Sequence, residues 1–395
     1  MIAAIRGLPR TVWLLGLISL VNDAASDMIY PLVPLYLTSV LMAGPKALGL
    51  IEGIAEGTAS LVKLAAGVMA DRMRHTKRFV IAGYGLAGFA RPLIAIATSW
   101  LGVLACRFAD RVGKGLRTAP RDALLNLSVR ADQRGLAFGF HRAMDNFGAV
   151  IGPLAAAGLL ALGVPLRTVL ASAIVPAIIV LLLTVYVREP EHAALPKPVA
   201  FTWNLREFPL MFKRYLIVLA LFMLGNSSNM FLLLRAKELG LSEANVPVLW
   251  ALVSLVAAVF STPLSALSDR IERRSLIIGG WSVYAVFYLL FGLMPARPWL
   301  LWPMFAGYGL FLAATEGAEK ALVADMVPRE QSGTAFGWYN LVVGIVLLPA
   351  SVVFGWLWAT LSPLTAFAFG SGCALLAAAL LRFWITPAKF AHAVA

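Results

Sequence analysis

The stretch RGLAFGFH at residues 134–141 has a near copy, SGTAFGWY, at residues 332–339, 198 positions further along the chain. ADR at 70–72 and SDR at 268–270 have the same separation of 198, and SDMI at 26–29 matches SNMF at 228–231 with a separation of 202. Three matched pairs in the same order predict that the chain contains two copies of one unit. The difference of four predicts a longer first outer loop in the first copy.

Apolar blocks of about 20 residues, the length that crosses a hydrocarbon core of ~30 Å, recur around these pairs. The protein has 395 residues, of which 60% are hydrophobic and 13% are charged, so it is too apolar for an ordinary soluble protein. Because the first block is long and many others follow it, we expect a retained helix and not a cleaved signal peptide. We predict twelve spans, at residues 11–40, 47–70, 79–98, 99–126, 135–162, 165–187, 213–235, 245–267, 275–295, 299–326, 333–360 and 363–386.

Lysines and arginines lie mainly on one side of these predicted spans. With the N-terminus in the cytoplasm, the basic residues outside the cell are only Lys46, Arg167, Arg235, Lys237 and Arg297. This positive-inside bias predicts that both termini are cytoplasmic. It also accounts for the formal net charge of +13, so nucleic acid is not expected as a partner.

A polar segment with four prolines, VREPEHAALPKPVAFTWNLREFP at 187–209, separates the two copies. It predicts an N-terminal six-helix bundle at 1–187, a cytoplasmic linker at 188–212 and a C-terminal six-helix bundle at 213–395. The predicted fold class is an all-α polytopic membrane protein of twelve helices in two pseudo-symmetric bundles. A parallel repeat of this kind is typical of transporters that rock around a site between their halves.

Motifs in both halves resemble those of the major facilitator superfamily. GVMADRMRHTKR at 67–78 resembles the family's loop between spans two and three, although Arg74 stands where a second glycine is usual, and SALSDRIERR at 265–274 is its copy. GAVIGPLAA at 148–156 resembles the signature of the drug/proton antiporter branch, with Ala155 and Ala156 in place of the last two glycines. The residues that these motifs assign to gating are Gly67, Asp71, Arg72, Asp269, Arg270, Gly148, Gly152 and Pro153.

Span four contains a concentration of charge, RFADRVGKGLRTAPRD at 107–122, which also resembles a family motif. Arg107 matches the family's arginine, whereas Asp110 and Arg111 replace its usual Gln and Gly. On a helix, Asp110, Lys114, Arg117 and Arg121 share one face. A charge at the bilayer centre costs at least ~2.5–3.5 kcal/mol, so this face must line a wet cavity or meet opposite charges.

Two roles remain open for the cytoplasmic end of that face. Arg117, Arg121 and Asp122 either contact the substrate or form an ion-pair network with the gate, and we favour the network for this part of the span.

Acidic residues in the predicted spans are candidate proton carriers. Asp23 and Asp27 are one helical turn apart and near mid-depth at 1.5 Å per residue. Asp27 is the first choice because its partner in the repeat, Asn229, is polar and uncharged; the alternative is a buried salt bridge between these acids and the arginines of span four. The predicted proton-coupling residues are Asp23, Asp27, Arg107 and Asp110, and the resemblance implies that Arg107 modulates the proton.

The other polar and aromatic candidates are assigned to the substrate. The first half supplies most of the charge, and the second half is expected to offer apolar and aromatic surface. The candidates are Asn22, Tyr30, Glu56, Arg111, Lys114, Arg117, His141, Arg142, Asp145, Asn146, Asn226, Asn229, Glu316, Trp338 and Asn340.

The predicted function is secondary active transport by alternating access, with proton-coupled export of a small organic compound as the first choice. The alternative is uptake or export of an anionic solute, such as an organic acid or metal chelator, held by Lys114, Arg117 or Arg142.

Cys106 and Cys373 are far apart and the four histidines are scattered, so no disulfide framework, metal site or cofactor is expected. Enzymatic activity is not expected either. The resemblance implies a monomer, and we expect it in a bacterial cytoplasmic (inner) membrane with protons, solute and lipid as its partners.

Overall fold

A computed structural model describes residues 7–72, 76–129, 134–187, 204–267, 271–327 and 332–385, and these are almost entirely helical. The helices of the first half are α1 Arg10–Ile29, α2 Leu32–Leu35, α3 Pro45–Arg72, α4 Thr76–Leu93, α5 Trp100–Leu127, α6 Arg134–Ala161, α7 Leu166–Ala171 and α8 Ile174–Val185. The helices of the second half are α9 Leu210–Gly225, α10 Met230–Glu238, α11 Asn245–Leu267, α12 Arg273–Leu293, α13 Leu301–Asp325, α14 Ser332–Thr360 and α15 Pro363–Trp384.

Each predicted span overlaps one of these helices or a consecutive pair of them. In the described residues, eight helical segments are long and apolar enough to cross a membrane. Two further helices, α3 and α5, have 28 residues each and are therefore about 42 Å long, but they carry the buried charges described below. The all-helical membrane fold is confirmed, whereas the count of twelve spans and the cytoplasmic termini stay predictions.

Helices of the two halves meet along two seams. In the first half α1 packs on α6 and α8, and α5 packs between α3 and α4; in the second half α12 packs on α13 and α15, and α9 packs on α14 and α15. The seams between halves are α3 against α14 and α6 against α11. A side chain at Gly49 or Gly53 would overlap the backbone of α14 at Ser351 or Leu348, so these glycines permit close approach of α3 and α14.

The span expected at 213–235 is divided in the structure. α9 ends at Gly225 and α10 begins at Met230. Side chains bind the backbone groups that the break releases: the Tyr284 hydroxyl donates to the Gly225 carbonyl (3.1 Å), and the Ser228 N–H donates to the Ser351 hydroxyl (3.3 Å). A broken helix is tolerated in a membrane where protein groups satisfy its backbone in this way.

Candidate transport site

A cavity of about 590 Å³ lies among α1, α3, α5, α6 and α11. This volume is typical of sites for small molecules, which range over roughly 300–1,000 Å³. All of its lining residues except Trp250 belong to the first half. They are Asp23, Ser26, Asp27, Tyr30, Glu56, Ala59, Ser60, Lys63, Arg111, Lys114, Gly115, Arg117, Thr118, Arg121, Arg142, Asp145, Asn146, Ala149 and Trp250.

Contacts between the halves close one end of this cavity. The rings of Tyr30 and Trp250 are 4.9 Å apart, and the indole N–H of Trp250 donates to the Asp27 carboxylate (3.2 Å). Nearer the predicted outer surface, the Ser39 hydroxyl donates to Glu243 (3.1 Å), which also accepts a hydrogen bond from Lys237 (2.7 Å). The Lys237 hydrogen bond is the main reason that the pKa of the loop residue Glu243 is lowered.

The opposite end of the cavity is open. Lys63 and Arg142 line this end and are exposed. If the termini are cytoplasmic, as predicted, the open end faces the cytoplasm and the closed end faces outside.

Beside the cavity, α3, α4 and α5 share a network of buried ion pairs. Arg91 Nε lies 2.8 Å from Asp110 Oδ1, and Arg107 Nη2 lies 2.6 Å from Glu52 Oε1. Arg107 Nη1 is also 3.5 Å from Asp110 Oδ2, so these pairs are connected. All four side chains are at most 3% exposed. Opposite charges therefore compensate the buried charges of Arg107 and Asp110 in span four, as burial in a membrane protein requires.

The same network extends to the cavity wall and to the second half. Arg111 Nε lies 2.8 Å from Glu56 Oε1, and Glu56 is part of the cavity lining. Arg91 Nη1 donates to the Asn22 side chain (2.9 Å), which fixes α4 to α1. The Ser228 hydroxyl donates to Glu52 Oε2 (3.1 Å), which links the network to the break between α9 and α10.

Other charged residues of the wall are not neutralised in this way. Within the described residues, Asp23 and Asp27 form no ion pair and accept hydrogen bonds from Asn22 (2.7 Å) and Trp250 (3.2 Å). Lys63, Lys114 and Arg117 likewise have no carboxylate within ion-pair distance there. The cavity therefore has unpaired acids on α1 and unpaired bases on α3 and α5.

Arg117 is the most enclosed of these bases. It is 3% exposed, and its guanidinium lies over the Tyr84 ring at 4.3 Å from the centroid. Its Nε and Nη1 donate no hydrogen bond to any described residue. A buried donor without a hydrogen-bond partner costs free energy, so these nitrogens are available to donate to a ligand group or to water.

Ion pairs and polar contacts at the open end involve α1, α5 and α6. Arg121 Nη2 lies 2.8 Å from Asp122, whereas Asp145 accepts from the Ser19 hydroxyl and lies 3.5 Å from His141 Nδ1. Arg121 and Asp122 thus pair with each other, whereas Arg117 has no ion-pair partner in the described residues. A network that joins these residues to the gate stays a prediction, because the side chains of Asp71 and Arg72 lie outside the described residues.

The structure brings together ten of the predicted functional residues at the cavity wall: Asp23, Asp27, Tyr30, Glu56, Arg111, Lys114, Arg117, Arg142, Asp145 and Asn146. Others are not part of that wall; these are Asn22, Arg107, Asp110 and His141 in the first half, and Asn226, Asn229, Trp338 and Asn340 in the second. Asp269 and Arg270 lie outside the described residues, as do the side chains of Gly67, Asp71, Arg72 and Glu316. The gating roles of these residues stay predictions.

The predicted gating glycines of α6 lie against α1. A side chain at Gly148 would overlap the Leu20 carbonyl, and one at Gly152 would overlap the Ala24 carbonyl. Pro153 lies inside the same helix. Close contact at Gly148 and Gly152 places the backbone of α1, and with it Asp23 and Asp27, at the cavity.

The aromatic residues expected to offer cavity surface in the second half, Phe336, Trp338 and Tyr339, are not among the residues that line the described cavity, and Tyr339 is buried with its hydroxyl donating to Glu319 (2.8 Å). Other aromatic residues of this half pack into its core. Phe222 stacks on Trp281 at 4.3 Å, and Tyr284 stacks on Tyr288 at 4.1 Å. Of the second half, only Trp250 is among the residues that line the described cavity.

Sequence reasoning did not assign a role to Arg91 or Trp250. Arg91 lies inside the span predicted at 79–98, so the argument applied to span four could have found it. The sequence around Trp250 does not indicate a functional role, because an aromatic residue in a membrane span most often packs against other helices.

Two overlapping parts of the chain, residues 15–234 and 215–393, match the family model of the Major Facilitator Superfamily. The chain belongs to this superfamily. An uncharacterised MFS-type transporter of Methanocaldococcus jannaschii is 34% identical to it over 385 residues, which cover 96% of each protein. The multidrug resistance protein MdtH of Salmonella newport is 26% identical over 318 residues, 79% of this chain and 76% of that protein.

A solved structure of the nucleoside transporter NupG shares the fold of this MFS protein. The TM-score is 0.80 at 11% identity, and the alignment covers 94% of this chain and 99% of that one. The predicted family is therefore confirmed, and with it the class of integral membrane transporters.

Proposed function

We propose that this MFS transporter couples the movement of a small organic solute to protons by alternating access, with export as the favoured direction. The observation that carries the proposal is the position of Asp27. Its carboxylate lines the cavity, has no ion-pair partner in the described chain, and accepts a hydrogen bond from Trp250 of the other half. Protonation of Asp27 changes the carboxylate that Trp250 binds, so it acts on a contact between the halves.

Asp27 is better suited to carry a proton than the acids of the buried network. Asp110 lies within 3.6 Å of three arginines and is 1% exposed, so its charge is held in place. Asp27, by contrast, pairs with no base in the described residues, and Trp250 is its hydrogen-bond donor. We therefore assign coupling to Asp27 with Asp23 and assign Arg107 and Asp110 to the support of α3, α4 and α5.

Two observations support export. The glycines that fit the antiporter-like motif, Gly148 and Gly152, hold α6 close to the helix that bears Asp27. The relative MdtH is named as a multidrug resistance protein. One proton charge moved through 100 mV is worth ~2.3 kcal/mol, enough to drive substantial extrusion. We also propose that the protein acts as a monomer in the cytoplasmic membrane of a bacterium.

The test measures proton movement in everted membrane vesicles that carry an imposed pH gradient. A panel of drugs and organic acids is added, and we expect at least one compound to dissipate the gradient with the wild type. Asp27→Asn should abolish this response and retain exchange of the same compound, because exchange needs no net proton transfer. Asp325→Asn, which changes a surface carboxylate paired with Arg273, is the control and should behave as the wild type. A full response in Asp27→Asn, or no response to any compound, would refute the proposal.

A further inference from the structure

The cavity wall has more basic than acidic side chains. Its basic residues are Lys63, Arg111, Lys114, Arg117, Arg121 and Arg142. Its acidic residues are Asp23, Asp27, Glu56 and Asp145. Six positive charges against four negative charges leave an excess of two when every carboxylate is ionised, and the pairing of Arg121 with Asp122, which is not part of the wall, reduces it to one. A cleft with an excess of one sign and walls of low dielectric concentrates ions of the opposite charge.

Two of these basic side chains already pair with a carboxylate. Arg111 pairs with Glu56 (2.8 Å) and Arg121 with Asp122 (2.8 Å). Lys114 and Arg117 follow at i and i+3 on α5, so they are neighbours on the helix surface, and neither has a carboxylate partner in the part of the chain that the structure describes. Lys114 is exposed to the cavity, whereas Arg117 is buried at its edge.

The side chain of Arg117 is held in place without being neutralised. Its guanidinium lies on the ring of Tyr84, and α4 approaches α5 closely at this level, since a side chain at Gly83 would lie 2.7 Å from Arg117 Cβ. Two of its nitrogens, Nε and Nη1, remain without an acceptor from the described residues. An aromatic face fixes the plane of the guanidinium but supplies no oxygen acceptor.

We propose that Lys114 and Arg117 bind an anionic oxygen group, a carboxylate or a phosphate, of the transported solute. Arginine presents a planar set of donors that matches either group, and lysine adds a mobile point charge. The cavity of about 590 Å³ leaves room for a small organic body attached to this group. The proposal rests on the proposed function in taking this cavity as the transport site, but it requires neither proton coupling nor export.

Binding by the purified full-length protein in detergent tests this proposal without any gradient. The probes are benzoate, succinate and phenyl phosphate, each compared with an uncharged counterpart: benzamide, succinamide and phenol. Thermal shift and titration calorimetry should show binding of at least one anion and weaker binding of its counterpart. Tighter binding of the carboxylates or of phenyl phosphate decides which of the two groups the site takes.

Variants then locate the site. Lys114→Gln should weaken the binding of the anion about tenfold to hundredfold, the effect of one charge-assisted hydrogen bond. Because Lys114 is exposed and has no ion-pair partner, this change should leave folding intact. Arg117→Gln should weaken binding similarly, and Arg117→Lys, which keeps the charge, should restore part of it. Lys46→Gln removes the same charge from an exposed lysine outside this cavity and should bind as the wild type.

Three results would overturn the anion site: no binding of any of the three anions, equal binding of the uncharged counterparts, or an unchanged affinity in Lys114→Gln and Arg117→Gln. An equal loss in Lys46→Gln would also do so, because it would indicate a general effect of protein charge. These outcomes are separate from those of the proton assay. Anion binding together with an unimpaired proton response in Asp27→Asn would refute the coupling role of Asp27 and leave the anion site standing. No anion binding together with a lost proton response in Asp27→Asn would refute the anion site alone.

Discussion

The buried ion pairs show how individual residues keep charge inside a membrane protein. Arg107 contacts Glu52 and Asp110, and Asp110 also contacts Arg91. Each of these side chains is enclosed by protein, so the loss of Arg107 leaves the charge of Glu52 without compensation, whereas Asp110 keeps Arg91 and Arg111. Breaking a buried pair costs about 3–5 kcal/mol, although replacing both partners by neutral groups is often tolerated.

We therefore predict that Arg107→Gln lowers the free energy of unfolding by about 3–5 kcal/mol, because Glu52 loses its only cationic partner in the described residues. The double variant Glu52→Gln/Arg107→Gln should recover most of this loss. Thermal unfolding of the detergent-solubilised protein compares the two. A double variant less stable than Arg107→Gln would show that the pair is not the source of the effect.

Helical periodicity indicated which residues of span four share a face, but not which helices cover them, and the roles of these residues stay predictions. The one-face argument correctly grouped Lys114, Arg117 and Arg121, which all line the cavity. It placed Asp110 with them, but Asp110 is covered by Arg91 of α4. Helical periodicity gives the direction of a side chain around its own axis and says nothing of which neighbouring helix covers it at a given depth.

At the scale of helices, the contact between α1 and α6 positions the candidate proton carrier. Gly148 and Gly152 are four residues apart and face successive turns of α1, where any side chain would overlap backbone carbonyls. Backbone atoms move less easily than the end of a side chain. The separation of α1 and α6 at this level is therefore set by these glycines.

We predict that Gly152→Ala destabilises the protein by about 1–3 kcal/mol, the usual range for overpacking, and reduces transport by displacing the helix that bears Asp27. Gly158→Ala is a matched control on the same helix, since nothing lies within 4 Å of the added methyl group. The control should be neutral or slightly stabilising because alanine favours the helix over glycine by about 1 kcal/mol. Unfolding temperature and flux would be measured for both, and equal effects of the two changes would contradict the packing argument.

The element boundaries were largely predictable because apolar length and loop charge determine them. The division at 226–229 was not. Asn226 and Asn229 are visible in the sequence, but the donors that stabilise the break, Tyr284 and Ser351, come from distant helices. Only the folded structure shows that these side chains satisfy the released backbone groups.

At the scale of the whole molecule, matched positions of the repeat have different partners. Asp27 accepts a hydrogen bond from Trp250 across the interface between halves, whereas Asn229 accepts one from Tyr308 within its own half (2.5 Å). The sequence predicted the repeat and this difference in charge. It could not predict how the halves meet, because the seams consist of glycine contacts and single polar bonds without a periodic pattern.

Glu243 provides a test of how the halves close at the predicted outer end. Its carboxylate accepts a hydrogen bond from Ser39 of the first half, and its pKa is lowered in the folded protein. The stabilising effect of its charge is therefore fully present at pH values above the ordinary glutamate pKa of about 4.3. It is lost as the pH falls through the lower pKa of the folded state. We therefore predict that mild acidification outside leaves this contact intact and that stronger acid weakens it. Glu243→Gln should weaken it at neutral pH.

The expected effect on the conformational equilibrium is small, because exposed pairs contribute about 0.2–1 kcal/mol, or roughly a 1.4-fold to fivefold change in population. Spin labels at the exposed positions Leu162 and Trp299, both on the predicted outer side, report the distance between the halves in a background with Cys106 and Cys373 replaced by serine. Glu243→Gln should increase the population of molecules in which the two labels are far apart. Strong acid should increase the same population in the wild type, but it should change little in Glu243→Gln. Glu272→Gln, which removes an exposed carboxylate paired with Arg274 and not with Glu243 or Ser39, is the control. Identical distance distributions in Glu243→Gln and the wild type at neutral pH would show that Glu243 does not hold the outer end closed.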